Sequence, residues 1–140
     1  MPTTINNLFV LIGRLTLAAL FLPAGFSKIT GFSGTVGYIE AMGLPFATMA
    51  ALVAILVEVL GGAALIAGLF TRASAIVLAV FTVVATVIFH AYWAVPAEQT
   101  FMQQLLFYKN IAVVGGLLIL AAHGAGQWSL DQKRRLDTGK

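Results

Sequence analysis

The sequence predicts an all-α integral membrane protein, a four-helix bundle with both termini in the cytoplasm. Three observations lead there. Four apolar stretches, at about residues 8–27, 47–70, 73–93 and 105–123, follow one another along the chain. Each is close to the roughly 20 residues that a helix needs to cross a bilayer. Sixty per cent of the 140 residues are hydrophobic and only 9% are charged, against about 25% charged in soluble domains. Mean hydropathy is +0.98. A soluble fold would have to hide four long helices inside 14.8 kDa, where small size leaves much of the chain on the surface. Finally, Lys and Arg gather on one side. Arg72 falls with Lys133, Arg134, Arg135 and Lys140 of the tail, and Lys28 stands on the other. That asymmetry places the termini inside.

The chain reads as one domain, residues 1–140, with a basic cytoplasmic tail at 127–140. The first apolar stretch has no basic residue before it, is interrupted by Arg14 and offers no small-x-small site before Lys28. It therefore reads as a retained span rather than a cleaved signal. The segment from Thr30 to Pro45 is too polar and glycine-rich to cross. Ser33 predicts the cap of a short helix ending near Gly43, with Val36, Ile39 and Met42 on one side, as in an interfacial helix. An ordinary structured loop is the alternative. Gly68-Leu69-Phe70-Thr71-Arg72 is a turn so short that spans two and three must be antiparallel neighbours. Pro96 and Glu98 mark a helix start in the third connection. Gly124 and Gly126 end the last helix. Trp128 is the expected aromatic anchor on the inner side, and Tyr92 with Trp93 on the outer. Small residues at Ala64/Gly68, Gly61-Gly62, Ala112/Gly116 and Gly115-Gly116 favour close helix packing.

Several function classes are excluded. With no cysteine there is no disulfide, thiol relay or thiolate metal site. The two histidines, His90 and His123, fall near opposite faces and cannot ligate one iron. No acid/His spacing resembles a metal site. No nucleophile–base set is visible, so no catalytic residue is assigned and an enzyme acting alone is disfavoured. The basic tail suits anionic headgroups; it has no soluble domain behind it, and nucleic acid is not an expected partner.

The informative residues are charged ones inside spans, which cost at least about 2.5–3.5 kcal/mol each and so face the bundle interior. At 1.5 Å per residue, Arg14 lies about 21 Å below Lys28, and Glu58 sits near the middle of span two. His90, Lys109 and Asn110 fall in the outer half. Glu58 is the only acid well inside a span, and Arg14, Lys109 and His90 compete for it. Pairing with Arg14 or Lys109 is the expectation, either as a simple lock between helices or as part of a polar pocket. Arg14 and Lys109 also have stems long enough to snorkel to headgroups. His90, Lys109 and Asn110 are expected to line an outward-facing pocket. Tyr92, Trp93 and Tyr108 form its rim, and Gly61, Gly62 and Gly115 leave space beneath.

The ordered set of motifs resembles the DoxX family of small bacterial membrane proteins. The matching stretches are Arg14-Leu15, then Phe21-Leu22-Pro23-Ala24-Gly25-Phe26-Ser27-Lys28 with Gly31-Phe32. Glu58-Val59-Leu60-Gly61-Gly62, Gly68-Leu69-Phe70-Thr71-Arg72 and Phe89-His90-Ala91-Tyr92-Trp93 follow. Phe107-Tyr108-Lys109-Asn110 and Gly115-Gly116-Leu117-Leu118 complete the set. The resemblance implies a four-helix protein of the bacterial inner membrane. It also implies that Arg14, Lys28, Glu58, His90, Lys109 and Asn110 are the positions that matter. A related branch is linked to thiosulfate:quinone oxidoreductase as a membrane subunit, and some members associate with redox or oxidative-stress proteins. By that resemblance quinone is the candidate cofactor and a redox protein the candidate partner. With no cysteine, haem or flavin motif here, electrons would have to be carried by another chain.

Three functions are then open. One is an accessory or anchoring subunit that binds a lipid-soluble ligand. Another is a small proton-coupled permease using Glu58, which with four helices and no inverted repeat would have to be a homo-oligomer. The last is a purely structural or assembly protein.

Overall fold

The computed structural model describes residues 3–138. Lys140 of the basic tail lies outside them. Six α-helices and one 3-10 turn make up the described chain, with no strand among the described residues. They are α1 (Thr3–Thr30), α2 (Phe32–Ala41), α3 (Ala47–Ala67), α4 (Thr71–Phe89), the 3-10 turn Tyr92–Ala94, α5 (Ala97–His123) and α6 (Leu130–Thr138). Four of them are long and apolar enough to cross a membrane. The expected spans are all present. The first and last run further than their apolar cores, because Thr3–Asn7 and Ala97–Gln104 continue the helix with polar residues.

α1 packs on α3, α3 on α4 and α4 on α5, and α5 closes back on α1 over a smaller contact. The interior is built of small side chains and a few leucines, centred on Ala18, Phe21, Leu65, Leu78 and Leu117. Large apolar side chains such as Leu60, Val80 and Ile119 face outward, as expected where lipid rather than water is the solvent. Glycine sets the helix spacing. A Cβ on Gly61 would come within 2.9 Å of Leu78, and one on Gly62 within 2.8 Å of Leu22. These two glycines are thus filled by neighbouring leucines and leave no space for a pocket, contrary to the sequence expectation. Gly115 meets nothing within 4 Å and faces outward.

The connection after α1 is helical. α2 begins after Gly31 rather than at Ser33, with no side-chain cap. Ile39 is its buried residue and packs with Ala47 and Ala51 of α3. Met42, expected on the same face, is exposed. The α3–α4 turn is a Schellman motif. Gly68 is left-handed at φ 64°, the Gly68 N–H bonds Leu65 O at 3.3 Å and the Leu69 N–H bonds Ala64 O at 3.0 Å, satisfying carbonyls that end a helix. Pro96 precedes α5 and Gly124, at φ 85°, ends it, as the sequence predicts.

Candidate ligand cavity and buried ion pair

The α1–α3 contact is offset along the bundle. Gly25 of α1 lies against Val59 and Glu58 of α3, where a Cβ would stand 2.7 Å from Val59 Cγ2 and 3.2 Å from Glu58 Cβ. Lys28 is one turn further along the same face, since residues three apart on a helix are neighbours. Its Nζ donates to Glu58 Oε1 at 2.9 Å and Oε2 at 2.8 Å. Glu58 is 5% exposed and the Lys28 side chain 29%, so the carboxylate is withdrawn from solvent, the ammonium partly so, and each answers the other. Glu58 therefore pairs with Lys28, and not with Arg14 or Lys109 as the sequence suggests. The sequence sets Lys28 at the outer end of span one and Glu58 near the middle of span two, which would keep them apart. Instead, α1 stops about a turn beyond Glu58, and α2 covers the first turns of α3.

Arg14 does different work at the other end of the bundle. It is 1% exposed and, among the described residues, has no carboxylate within bonding distance. Its Nη1 donates to Ala125 O at 2.6 Å, and its Nη2 to Trp128 O at 3.0 Å and Ile66 O at 3.3 Å. The planar guanidinium thus ties the last turn of α3 to the linker between α5 and α6. Asn7 adds to this tie: its Nδ2 donates to Gln127 Oε1 at 3.0 Å and its Oδ1 accepts from the Gln127 N–H at 3.2 Å.

Next to the ion pair is a partly open cavity of about 460 Å³ lined by α1, α2, α3 and α4, with Asn110 of α5 reaching it. Its walls are mostly apolar, among them Phe21, Ile39, Val53, Ala54, Phe81 and Ile88. The polar groups are few: Lys28, Glu58, Thr35, Thr82, Tyr38, His90 and Asn110. Tyr38 of α2 stacks on Phe89 of α4 with ring centres 5.5 Å apart, and both rings line the cavity. His90 ends α4, and its Nδ1 lies 2.8 Å from Gln103 Oε1. With that oxygen as acceptor, Nδ1 is the donor.

Four of the predicted residues, Lys28, Glu58, His90 and Asn110, therefore meet at one cavity. Arg14 belongs to the opposite end. Lys109 is exposed on the outside of α5 and is not part of the cavity wall. Its neighbour Asn110 takes the inward position because successive helix residues are about 100° apart. Tyr92, Trp93 and Tyr108 do cluster, with Phe107 at their centre, 5.4, 5.7 and 5.5 Å away respectively. That cluster packs the 3-10 turn onto α5 and does not rim the cavity. Gln103 and Tyr38 went unnoticed in the sequence because neither sits inside an apolar stretch or carries a charge. The described residues hold no group of three or more His, Cys, Asp or Glu able to bind a metal.

Four apolar crossing helices, an intramembrane ion pair and a mostly apolar, partly open cavity define a small multi-pass membrane protein. The comparisons with known proteins place it more closely. The DoxX family model matches residues 9–91, and the chain belongs to that family. It is 35% identical over 124 residues to the inner membrane protein YphA of Escherichia coli, covering 89% of both chains. To the inner membrane protein YqjF of the same organism it is 40% identical over 128 residues, covering 91% of this chain and 93% of that one. A Surfeit locus protein 4 homolog of Schizosaccharomyces pombe is 29% identical over 130 residues, which are 91% of this chain but 38% of that protein. No solved structure matches. The chain is a multi-pass inner-membrane protein of the DoxX type, and the matches to the two E. coli proteins extend over about nine-tenths of it.

Proposed function

We propose that this protein binds a lipid-soluble molecule in the cavity beside Lys28 and Glu58, and acts as an accessory or anchoring subunit for a redox or stress-response partner. The observation that carries the reading is the cavity itself. It is of the size typical of small-molecule sites, about 300–1,000 Å³, and has the same make-up of apolar walls with a few placed polar groups. An amphiphile fits that arrangement. Its apolar tail would lie against Val53, Phe81 and Ile88, and its carbonyl or hydroxyl would face Lys28, His90 or Asn110. A quinone has this chemistry. A proton-coupled permease would need Glu58 free to change its proton, whereas both its oxygens are engaged by Lys28. In this reading both termini, with the basic tail and Arg72, lie in the cytoplasm.

Filling the cavity tests it. Ala54 and Ala85 line the wall, and Ala54→Phe and Ala85→Phe each place a ring in the space. Wild type and variants are purified from the same membranes, checked for equal thermal stability, and their co-extracted quinones and lipids quantified by mass spectrometry. The reading expects at least one molecular species retained by wild type to fall tenfold or more in a stable variant. Identical extracts from all three would leave the structural role as the better account.

A further inference from the structure

A second large cavity, of about 570 Å³, lies at the opposite end of the bundle, where the starts of α1 and α4, the end of α5 and α6 come together. Its charged lining is Arg72, Arg134, Arg135 and Asp131, with His123 and the amide Gln132 also in the wall. The single acid is already engaged. Asp131 Oδ1 accepts from the Phe70 N–H at 2.8 Å and Oδ2 from the Thr71 N–H at 2.9 Å. The arginines are not matched in the same way. The Lys28–Glu58 bridge is the ion pair found among the described residues, so none of the three guanidinium groups has a carboxylate within that distance.

Two of these cations have contacts of their own that are not salt bridges, although the charge of Arg134 also acts on Asp131 from a distance. Arg72 lies over the carboxyl end of α5. A Cβ on Gly124 would stand 3.3 Å from its Nε and 3.6 Å from its Nη2, and a cation is favoured at a helix C-terminus. Arg134 Cζ sits 4.8 Å from the centre of the Phe70 ring, a cation–π contact. The cavity is therefore a basic chamber at one end of the membrane-crossing helices. It lies beside α6, whose Leu130 and Leu136 are exposed, as in a helix resting on a bilayer surface.

We propose that this chamber binds the phosphate group of an anionic ligand, with Arg72 and Arg135 as its principal contacts and Arg134 completing the positive field. Guanidinium groups bind phosphate oxygens through paired N–H donors, and basic pockets at the ends of membrane helices suit lipid headgroups. The same chemistry is offered by the headgroup of an anionic phospholipid and by a free phosphate compound. The site is independent of the apolar cavity and of whatever binds there.

The full chain is reconstituted in nanodiscs holding equal amounts of phosphatidylglycerol and phosphatidylcholine, released, and its retained lipids counted by native mass spectrometry. Wild type is expected to keep phosphatidylglycerol over phosphatidylcholine by about tenfold. Arg72→Gln/Arg135→Gln should lose most of that preference. Gln132→Glu, which sets a negative charge in the chamber wall without removing an arginine, should do the same and guards against misfolding of the double variant. Lys133→Gln, outside the chamber wall, should leave the preference intact. A second arm measures thermal unfolding in a neutral detergent with inorganic phosphate against sodium chloride of equal ionic strength. Stabilisation by phosphate that the variants lose points to a free phosphate ligand. Lipid preference without it points to a headgroup. Two results would overturn the proposal: neither effect in wild type, or equal loss with Lys133→Gln, which would mean the diffuse charge of the tail and no chamber.

Discussion

Lys28 reaches both carboxylate oxygens of Glu58, at 2.8 and 2.9 Å, across the α1–α3 contact and over 30 residues of sequence. Burial makes this pair costly to break. Removing one partner of a buried pair strands the other charge and costs about 3–5 kcal/mol, while replacing both with apolar residues is often neutral.

Lys28→Met and Glu58→Met alone should therefore each lower thermal stability in detergent markedly. The double variant Lys28→Met/Glu58→Met should be more stable than Lys28→Met alone. Thermal unfolding of the purified proteins measures this. Additive losses in the double variant would mean that the two side chains do not depend on each other.

Gly25 is what lets α1 approach Glu58, and a methyl there would meet Val59 Cγ2 at 2.7 Å. Gly25→Ala should destabilise by about 1–3 kcal/mol, the usual cost of overpacking a core. Adding Val59→Ala removes the clashing atom and should restore much of the loss. Failure of that rescue would show that Gly25 matters for another reason.

Arg14 holds the linker after α5 by donating to Ala125, Trp128 and Ile66 carbonyls. Arg14→Lys keeps the charge but not the fork of donors. The linker at 124–129 should then be cut several-fold faster by a protease of broad specificity, with little change in cleavage between α1 and α3. Unchanged cutting of the linker would separate Arg14 from the tail.

Asp131 caps α4 from a distance. Burial raises its carboxyl, but hydrogen bonds from Thr71, the Phe70 N–H and the charge of Arg134 outweigh that and hold it below its ordinary value of 3.8. A carboxyl lowered on folding adds stability that is fully present above its unfolded value and is lost as pH falls through the folded one. The tail should thus stay docked at neutral pH and loosen only below about pH 4, seen as a change in Trp128 environment. Asp131→Asn should show the loosened state at neutral pH and lose the acid transition. An acid transition that survives in Asp131→Asn would assign it to another group. Phe70 gives the cap its importance: its φ of 47° is left-handed, a conformation that costs roughly 1–2 kcal/mol outside glycine.

The absence of cysteine makes the orientation simple to test. Single cysteines at Lys133 and at Glu40, one on each side of the spans, should label differently with a membrane-impermeant maleimide in intact cells. Glu40→Cys should react and Lys133→Cys should react only after the membrane is opened. The reverse pattern would put the termini outside.

The sequence by itself determined that the chain crosses a membrane four times, where the turns fall and which polar residues had to be accounted for. Length and apolar composition settle the first, because lipid forces every backbone group into helical hydrogen bonds. Gly68, Pro96 and Gly124 settle the turns through local backbone preference. Only the tertiary structure decided the partners. Whether Glu58 meets Lys28, Arg14 or Lys109 depends on how far α1 slides along α3, and that is fixed by the fit of Gly25 to Val59 and of Leu22 to Gly62. Helix rise gives the depth of a residue within its own span, but not the offset between two spans. The side of the helix on which Lys109 and Asn110 emerge was equally hidden, because apolar residues surround them on α5 and its orientation follows from its packing on α4. Asp131 and Asn7 became structural residues only when the tail folded back onto the ends of the helices, a long-range contact with no periodic signature in the chain.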